Sequence, residues 1–239
     1  SGHALVIVTH DTEVAARYGR VLTQRNALLH SLRDRRGASP GQLEYWDSQL
    51  VELGAQVLGK RLWAVAQLNT LVEGVQRALT GDRELLALNY QSTVPLEAAD
   101  DPAALATSLT RALHTARREE LARGVTTLGP HRDDMRFMLN GVDATIYGSR
   151  GQQRTAALAI KLAEVALIKQ QTGEMPVLLL DDVASELDAQ RCAYLLERVA
   201  AAEQVLLTTT DLHALSRHFL ERAQVWQVLG GEITPAGAA

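Results

Sequence analysis

The sequence predicts an α/β fold, a parallel-rich sheet flanked by helices, joined to a helical arm. Three observations carry this. Short apolar runs at residues 177–180 and 205–209 enclose a helical pattern at 188–202, the order of a strand–helix–strand crossover. A long stretch ending at Gly81 repeats apolar residues at mostly helical spacing and contains no strand signal. The 239 residues are 46% hydrophobic and 22% charged, ordinary globular composition with enough chain for one large domain or two modest ones.

Residues 4–9 (ALVIVT) are apolar and β-branched without alternation, which predicts a short buried strand. A helix should follow to about residue 32, ending in the breaker run RRGASPG at 35–41. Ser39 and Pro40 are start signals for the next helix. Its apolar face is Leu43, Trp46, Leu50, Leu53, Val57, Leu68 and Leu71. A strand at 84–92 and a helix at 102–123 come next, then a strand at 134–139 closed by the tight turn Asn140-Gly141. The helix at 151–171 is apolar nearly all round and should be buried. A strand at 225–229 completes the series. The chain is therefore divided into an atypical segment at 1–16, a helical arm at 17–123 and a sheet-bearing part at 124–239.

No apolar run approaches the roughly 20 residues of a membrane helix, and no signal peptide opens the chain. The single cysteine, Cys192, cannot form an internal disulfide; it fits a small helix residue in a reducing cytoplasm, where the chain is expected to reside. The net charge of −4 does not advertise nucleic-acid binding, yet arginines cluster locally. Residues 11–36 hold six, and Arg111, Arg117, Arg118 and Arg123 form a second group. Both groups fit solvated helix faces; alternatively, they contact DNA phosphates. Aromatics at 4% argue against a stacking platform for single strands.

The densest chemistry is Val177-Leu-Leu-Leu-Asp181-Asp182. A continuous apolar strand should be buried on both faces, with its carboxylates at the C-terminal edge where open α/β sheets bind ligands. Neighbours on a strand point to opposite sides, so the two acids should differ in role. One can hold Mg²⁺, and the other can orient or deprotonate water. Asp188 follows in the turn Ser185-Glu186-Leu187-Asp188. Upstream, Tyr147-Gly148-Ser149-Arg150-Gly151-Gln152-Gln153 opens a helix, offering N–H groups and a hydroxyl to an anion, or simply capping the helix.

Taken together, Ser149-Arg-Gly151-Gln152-Gln153, Leu178-Leu-Leu-Asp181-Asp182 and Ser185-Glu-Leu-Asp188 resemble the signature motif, Walker B and D-loop of ABC-type ATPase heads. With Gly129-Pro130-His131-Arg132-Asp133-Asp134 and Gln24-Arg25-Asn26-Ala27-Leu28-Leu29, the chain resembles the RecF family of DNA repair ATPases. That resemblance implies a partial ABC-ATPase head with a helical arm, and ATP with Mg²⁺ as cofactors. Two heads, in a homodimer or with an intact partner head, would sandwich the nucleotide. It implies that Ser149, Gly151 and Gln152 contact the γ-phosphate held by the partner head. Asp181 takes the Mg²⁺ role, Asp182 the general-base role, Ser185 and Asp188 the dimer-interface role, and Thr210 the switch role. It further implies binding to DNA at single-strand/double-strand junctions and RecA loading with RecO and RecR, without a membrane partner.

A phosphate loop needs Gly-x-x-x-x-Gly-Lys-Ser/Thr after a strand. The near match at 54–61 has Arg61 in place of the hydroxyl and lies within a helical pattern. The N-terminal lobe bearing that loop is thus expected to be missing, and the chain alone to be an inactive half-site. A nucleotide-independent DNA- or RecR-binding module is the alternative. A transporter nucleotide-binding subunit is a third reading, suggested by Leu5-Val-Ile-Val-Thr9-His10-Asp11. His131 and Arg132 fit either a turn held by Asp133 and Asp134 or a contact with DNA, nucleotide or partner. His213 and His218 read as helix-surface residues.

Overall fold

The computed structural model describes residues 12–34, 41–96, 101–183 and 187–236. The expected strand at 4–9, His10, the breaker at 35–40 with Ser39 and Pro40, and Ser185 lie outside the described residues. Two compact units are present: Ser1–Thr70 with Ala87–Tyr147, and Leu71–Leu86 with Gly148–Ala239.

In the first unit, α1 (Thr12–Arg33) and α3 (Pro102–Arg123) accompany residues 42–70 of α2 (Gln42–Thr80), a helix without a break whose last residues belong to the second unit. α3 begins where Asp101 accepts from Ala103 N and proline occupies the first turn, and ends at Gly124 with φ 71°. Tyr18, Leu50, Leu53 and Leu113 form one apolar cluster. Ala55, Leu58, Val94, Leu105 and Leu109 form another. β1 (Leu86–Gln91), β2 (Asp134–Leu139) and β3 (Val142–Asp143) make a three-stranded sheet. Asn140 and Gly141, at φ 50° and 81°, form the predicted tight turn between β2 and β3. A one-turn helix, α4 (Ala144–Tyr147), follows.

One arginine departs from its predicted setting. Arg25, grouped by charge pattern with solvated or DNA-facing arginines, is 1% exposed and pairs with Glu120, which is 0% exposed. Its guanidinium also reaches Asp47 and Thr126, each at 2.7 Å. A buried guanidinium is tolerable only with this degree of pairing.

In the second unit, α5 (Arg150–Thr172) buries one stripe, Thr155, Ala156, Ala159, Ile160, Ala163 and Leu167. The expectation of burial all round is thereby corrected, because Gly151, Gln153, Arg154, Ala157 and Lys161 are exposed. β4 (Leu178–Asp181) pairs in parallel with β5 (Val205–Thr208), with α6 (Ala189–Val199) as the crossover. Leu178, Leu180, Val205 and Leu207 pack with Cys192, Leu195, Leu196 and Val199 from α6. Among the described residues the opposite face is uncovered: Leu179 is 75% exposed, and its register partner Leu206 is exposed too. The expectation of burial of β4 on both faces is therefore also corrected; among the described residues only one face of this strand pair is covered. A 3-10 turn (Leu212–Ala214) and α7 (Arg217–Leu220) follow, with His213 and His218 exposed as expected. β6 (Trp226–Leu229) pairs antiparallel with β7 (Glu232–Pro235), a strand not anticipated although Gly230-Gly231 signalled its turn.

Candidate functional site

Asp181 is the last residue of β4 and sits in register with Thr208. Thr208 Oγ1 donates to Asp181 Oδ1 at 2.6 Å. The same hydroxyl oxygen accepts from Asp182 N at 3.0 Å, and Thr208 O accepts from that N–H at 3.1 Å. Asp182 then adopts φ 48°, the left-handed region rarely occupied outside glycine. Strand alternation therefore ceases at Asp181, and the backbone kink sets the direction of Asp182. Thr208, not singled out from the sequence, organises both acids. Only strand register brings Thr208 opposite Asp181, 27 residues away.

A carboxylate with one oxygen engaged by a hydroxyl suits a hard cation at the other oxygen. Among the described residues no group of three His, Cys, Asp or Glu side chains could enclose a metal. A cation at Asp181 would need further oxygens from a bound ligand, as Mg²⁺ commonly takes from nucleotide phosphates.

The second cluster opens α5. Ser149 is its N-cap, at φ −62° and ψ 158°. Ser149 Oγ accepts from Gln152 N at 3.3 Å, while Gln152 Oε1 accepts from Ser149 N at 2.9 Å, a complete capping box. Because Oγ is the acceptor in this cap, its own proton is not used by it. Gly151 is exposed, and a Cβ built there meets nothing within 4 Å. Asp188 likewise caps α6, accepting from Arg191 N at 2.9 Å. Thr210 is exposed, two residues beyond β5.

His131 and Arg132 lie in the first unit, in a turn with extensive internal bonding. Asp133 accepts from Tyr90 Oη at 2.6 Å and from Thr93 N and Oγ1 at 2.7 Å each. His131 Nδ1 meets Tyr18 Oη at 2.8 Å. A Cβ on Gly129 would stand 2.9 Å from that Tyr18 oxygen, so this position, at φ 115°, requires glycine. Burial lowers the His131 pKa, and the Arg132 charge adds to the effect. Burial also pushes both Tyr18 and Tyr90 well above the usual phenol value. Arg132 is exposed but donates to Thr126 O at 3.4 Å. Arg117 stands 3.7 Å from Asp47, and Arg118 is exposed.

The near match to a phosphate loop falls inside α2 (Gln42–Thr80). Its N–H groups are engaged in helix bonding and cannot cradle a phosphate. Arg61 turns instead to Pro130 O and Tyr90 Oη.

No family model matches the chain. Individual relatives do. It is 45% identical over 93% of its length to DNA replication and repair protein RecF of Heliobacterium modesticaldum, 42% over 94% to that of Chloroflexus aurantiacus and 36% over 97% to that of Bacillus pumilus. Over nearly its whole length the chain is similar to proteins of the RecF family. It spans 59%, 58% and 62% of those relatives' lengths, respectively. Two solved structures, of the recombination mediator protein RecF-ATPrS and RecF-ATP in the RecFOR pathway, match with TM-score 0.81 at 28% and 27% identity. They cover 93% and 94% of this chain, which covers 58% of each. The α/β class is thus that of known RecF structures. Similarity to RecF proteins over more than nine-tenths of the chain argues against the transporter-subunit reading. Among the described residues no helix is long and apolar enough to cross a membrane.

Proposed function

We propose that this chain supplies one side of a shared ATP site in a RecF-type DNA replication and repair protein. The observation that carries this is the Ser149 cap. A hydroxyl proton not used by the cap, the helix-dipole end and the open approach at Gly151 together suit a phosphate brought by another molecule. Ser149, Gly151 and Gln152 then contact the γ-phosphate in trans. Asp181 holds Mg²⁺ through the oxygen not engaged by Thr208; the ion's role is to neutralise phosphate charge. Asp182 orients or deprotonates the attacking water, its position set by the left-handed kink and the Thr208 bonds. Asp188, with Ser185, lies at the interface between heads, and Thr210 is the switch residue.

The helical arm at 17–123 and the remaining part at 124–239 act as one repair module in this proposal. DNA at single-strand/double-strand junctions is held through phosphate contacts, with Arg117, Arg118, Arg132 and His131 as candidates, and RecO, RecR and RecA are the pathway partners in the cytoplasm. A nucleotide-independent DNA- or RecR-binding module is the second reading, favoured by the helical state of the 54–61 segment.

The two readings separate in one experiment. The 239-residue chain should show negligible ATP turnover alone and should stimulate turnover once a full-length RecF head is added; Ser149→Ala should sharply reduce that stimulation while leaving a measurable residue. Robust Mg²⁺-dependent turnover by the chain alone would overturn the half-site. Gapped-DNA binding indifferent to ATP, with or without the added head, would favour the interaction module.

A further inference from the structure

Within the second unit, a side chain from outside the motifs reaches the Ser149 turn. Glu84 lies between α2 and β1. Its Oε1 accepts from Gln152 Nε2 at 2.9 Å, and its Oε2 accepts from Gln76 Nε2 at 3.0 Å. Gln152 is the residue whose Oε1 completes the cap by accepting from Ser149 N. A carboxamide has one donor end and one acceptor end, so placing its NH₂ on a carboxylate leaves its oxygen to face Ser149. Gln76 is fully buried, and among the described residues its Oε1 has no hydrogen-bond partner. Its amide is thus held donor-first on Glu84 although the oxygen stays unpaired, an arrangement native structures seldom keep without a reason. Thr80 anchors the other end: its hydroxyl donates to Gln76 O at 2.8 Å and accepts from Glu84 N at 3.3 Å.

We propose that Glu84 is a positioning residue for the anion-contacting turn of α5. It acts through Gln152, holding that carboxamide so the cap stays closed and the Ser149 hydroxyl proton is presented outward. Glu84 itself touches no nucleotide. Without it, the Gln152 amide can rotate and release Ser149 N, which opens the cap that orients the Ser149 hydroxyl. This inference rests on the assignment of Ser149 as a γ-phosphate contact.

The test is steady-state ATP turnover by the 239-residue chain mixed with a full-length RecF head. Glu84→Ala should lower kcat about tenfold with KM for ATP changed less than about twofold, because nucleotide is held by the other head while the oriented turn acts on turnover. Glu84→Gln can accept from Gln152 and donate to Gln76 Oε1, and should stay within about twofold of the parent. Glu84→Asp keeps the charge but shortens the reach, and should match Glu84→Ala; it serves if the alanine variant fails to fold. Added to Ser149→Ala, Glu84→Ala should cost less than about a further twofold, as coupled residues do. Unchanged kcat in both Glu84→Ala and Glu84→Asp, an equal loss in Glu84→Gln, or losses that multiply in the double variant would each overturn the inference. Full turnover by Ser149→Ala would instead remove the assignment beneath it.

Discussion

Arg25 uses its three nitrogens on three side chains from three parts of the chain: Asp47, Thr126 and Glu120. Glu120 in turn accepts from Thr127 N at 2.8 Å, so the pair closes a turn as well as an ion bond. Removing one partner of such a pair leaves the other charge buried, so Arg25→Ala should cost about 3–5 kcal/mol in urea unfolding. Arg25→Lys should recover little of it, since an ammonium cannot present a planar fork. The sequence showed Arg25 as one of a basic run and as part of the Gln24–Leu29 motif, with no partner for its charge. Its partners stand 22, 101 and 95 residues away, beyond any local pattern. The Ser149 cap, by contrast, was legible because a cap depends on the next few residues alone. His131 supplies a pH dependence. Burial places its folded pKa below the ordinary value of about 6.5, so in that window the unfolded chain binds a proton the folded chain does not. Its contribution to stability is complete above the unfolded value and is lost as pH falls. Thermal melts from about pH 7 to pH 5 should show Tm falling with acidification through this group. His131→Gln should flatten that slope; an unaltered slope would assign it elsewhere.

At the scale of elements, local chemistry was readable and coverage was not. Asn140-Gly141 at the end of a strand pattern specified its turn outright, and both residues do take positive φ. Gly141→Val should therefore cost about 1–2 kcal/mol, measured by chemical denaturation, because a β-branched residue is strained there. α3 was legible to the residue at both ends because Asp101-Pro102 and Gly124 are local start and stop signals, respectively. β4 and α5 show the opposite case. An apolar run announces a strand or helix suited to burial, but which face is covered depends on neighbours that are distant in sequence. Within the candidate site the carboxylates were visible as an acidic pair, whereas Thr208 and Glu84 appear only once strands pair and helix ends meet.

For the molecule as a whole, the bare side of β4 and β5 has a consequence for handling it. Net charge is only −4 across 239 residues, so mutual repulsion between copies is weak. Colloidal behaviour then falls to the uncovered leucines, Leu179 beside Leu206. The 239-residue chain should salt out early, because sulfate strengthens contacts between apolar surfaces. Leu179→Lys with Leu206→Thr should raise the ammonium sulfate concentration at which light scattering begins. Both positions face away from the Leu178–Val199 cluster, so the melting temperature should scarcely change. Precipitation at an unshifted salt concentration would point to the exposed leucine, valine and isoleucine side chains of the β6–β7 hairpin as the sticking surface.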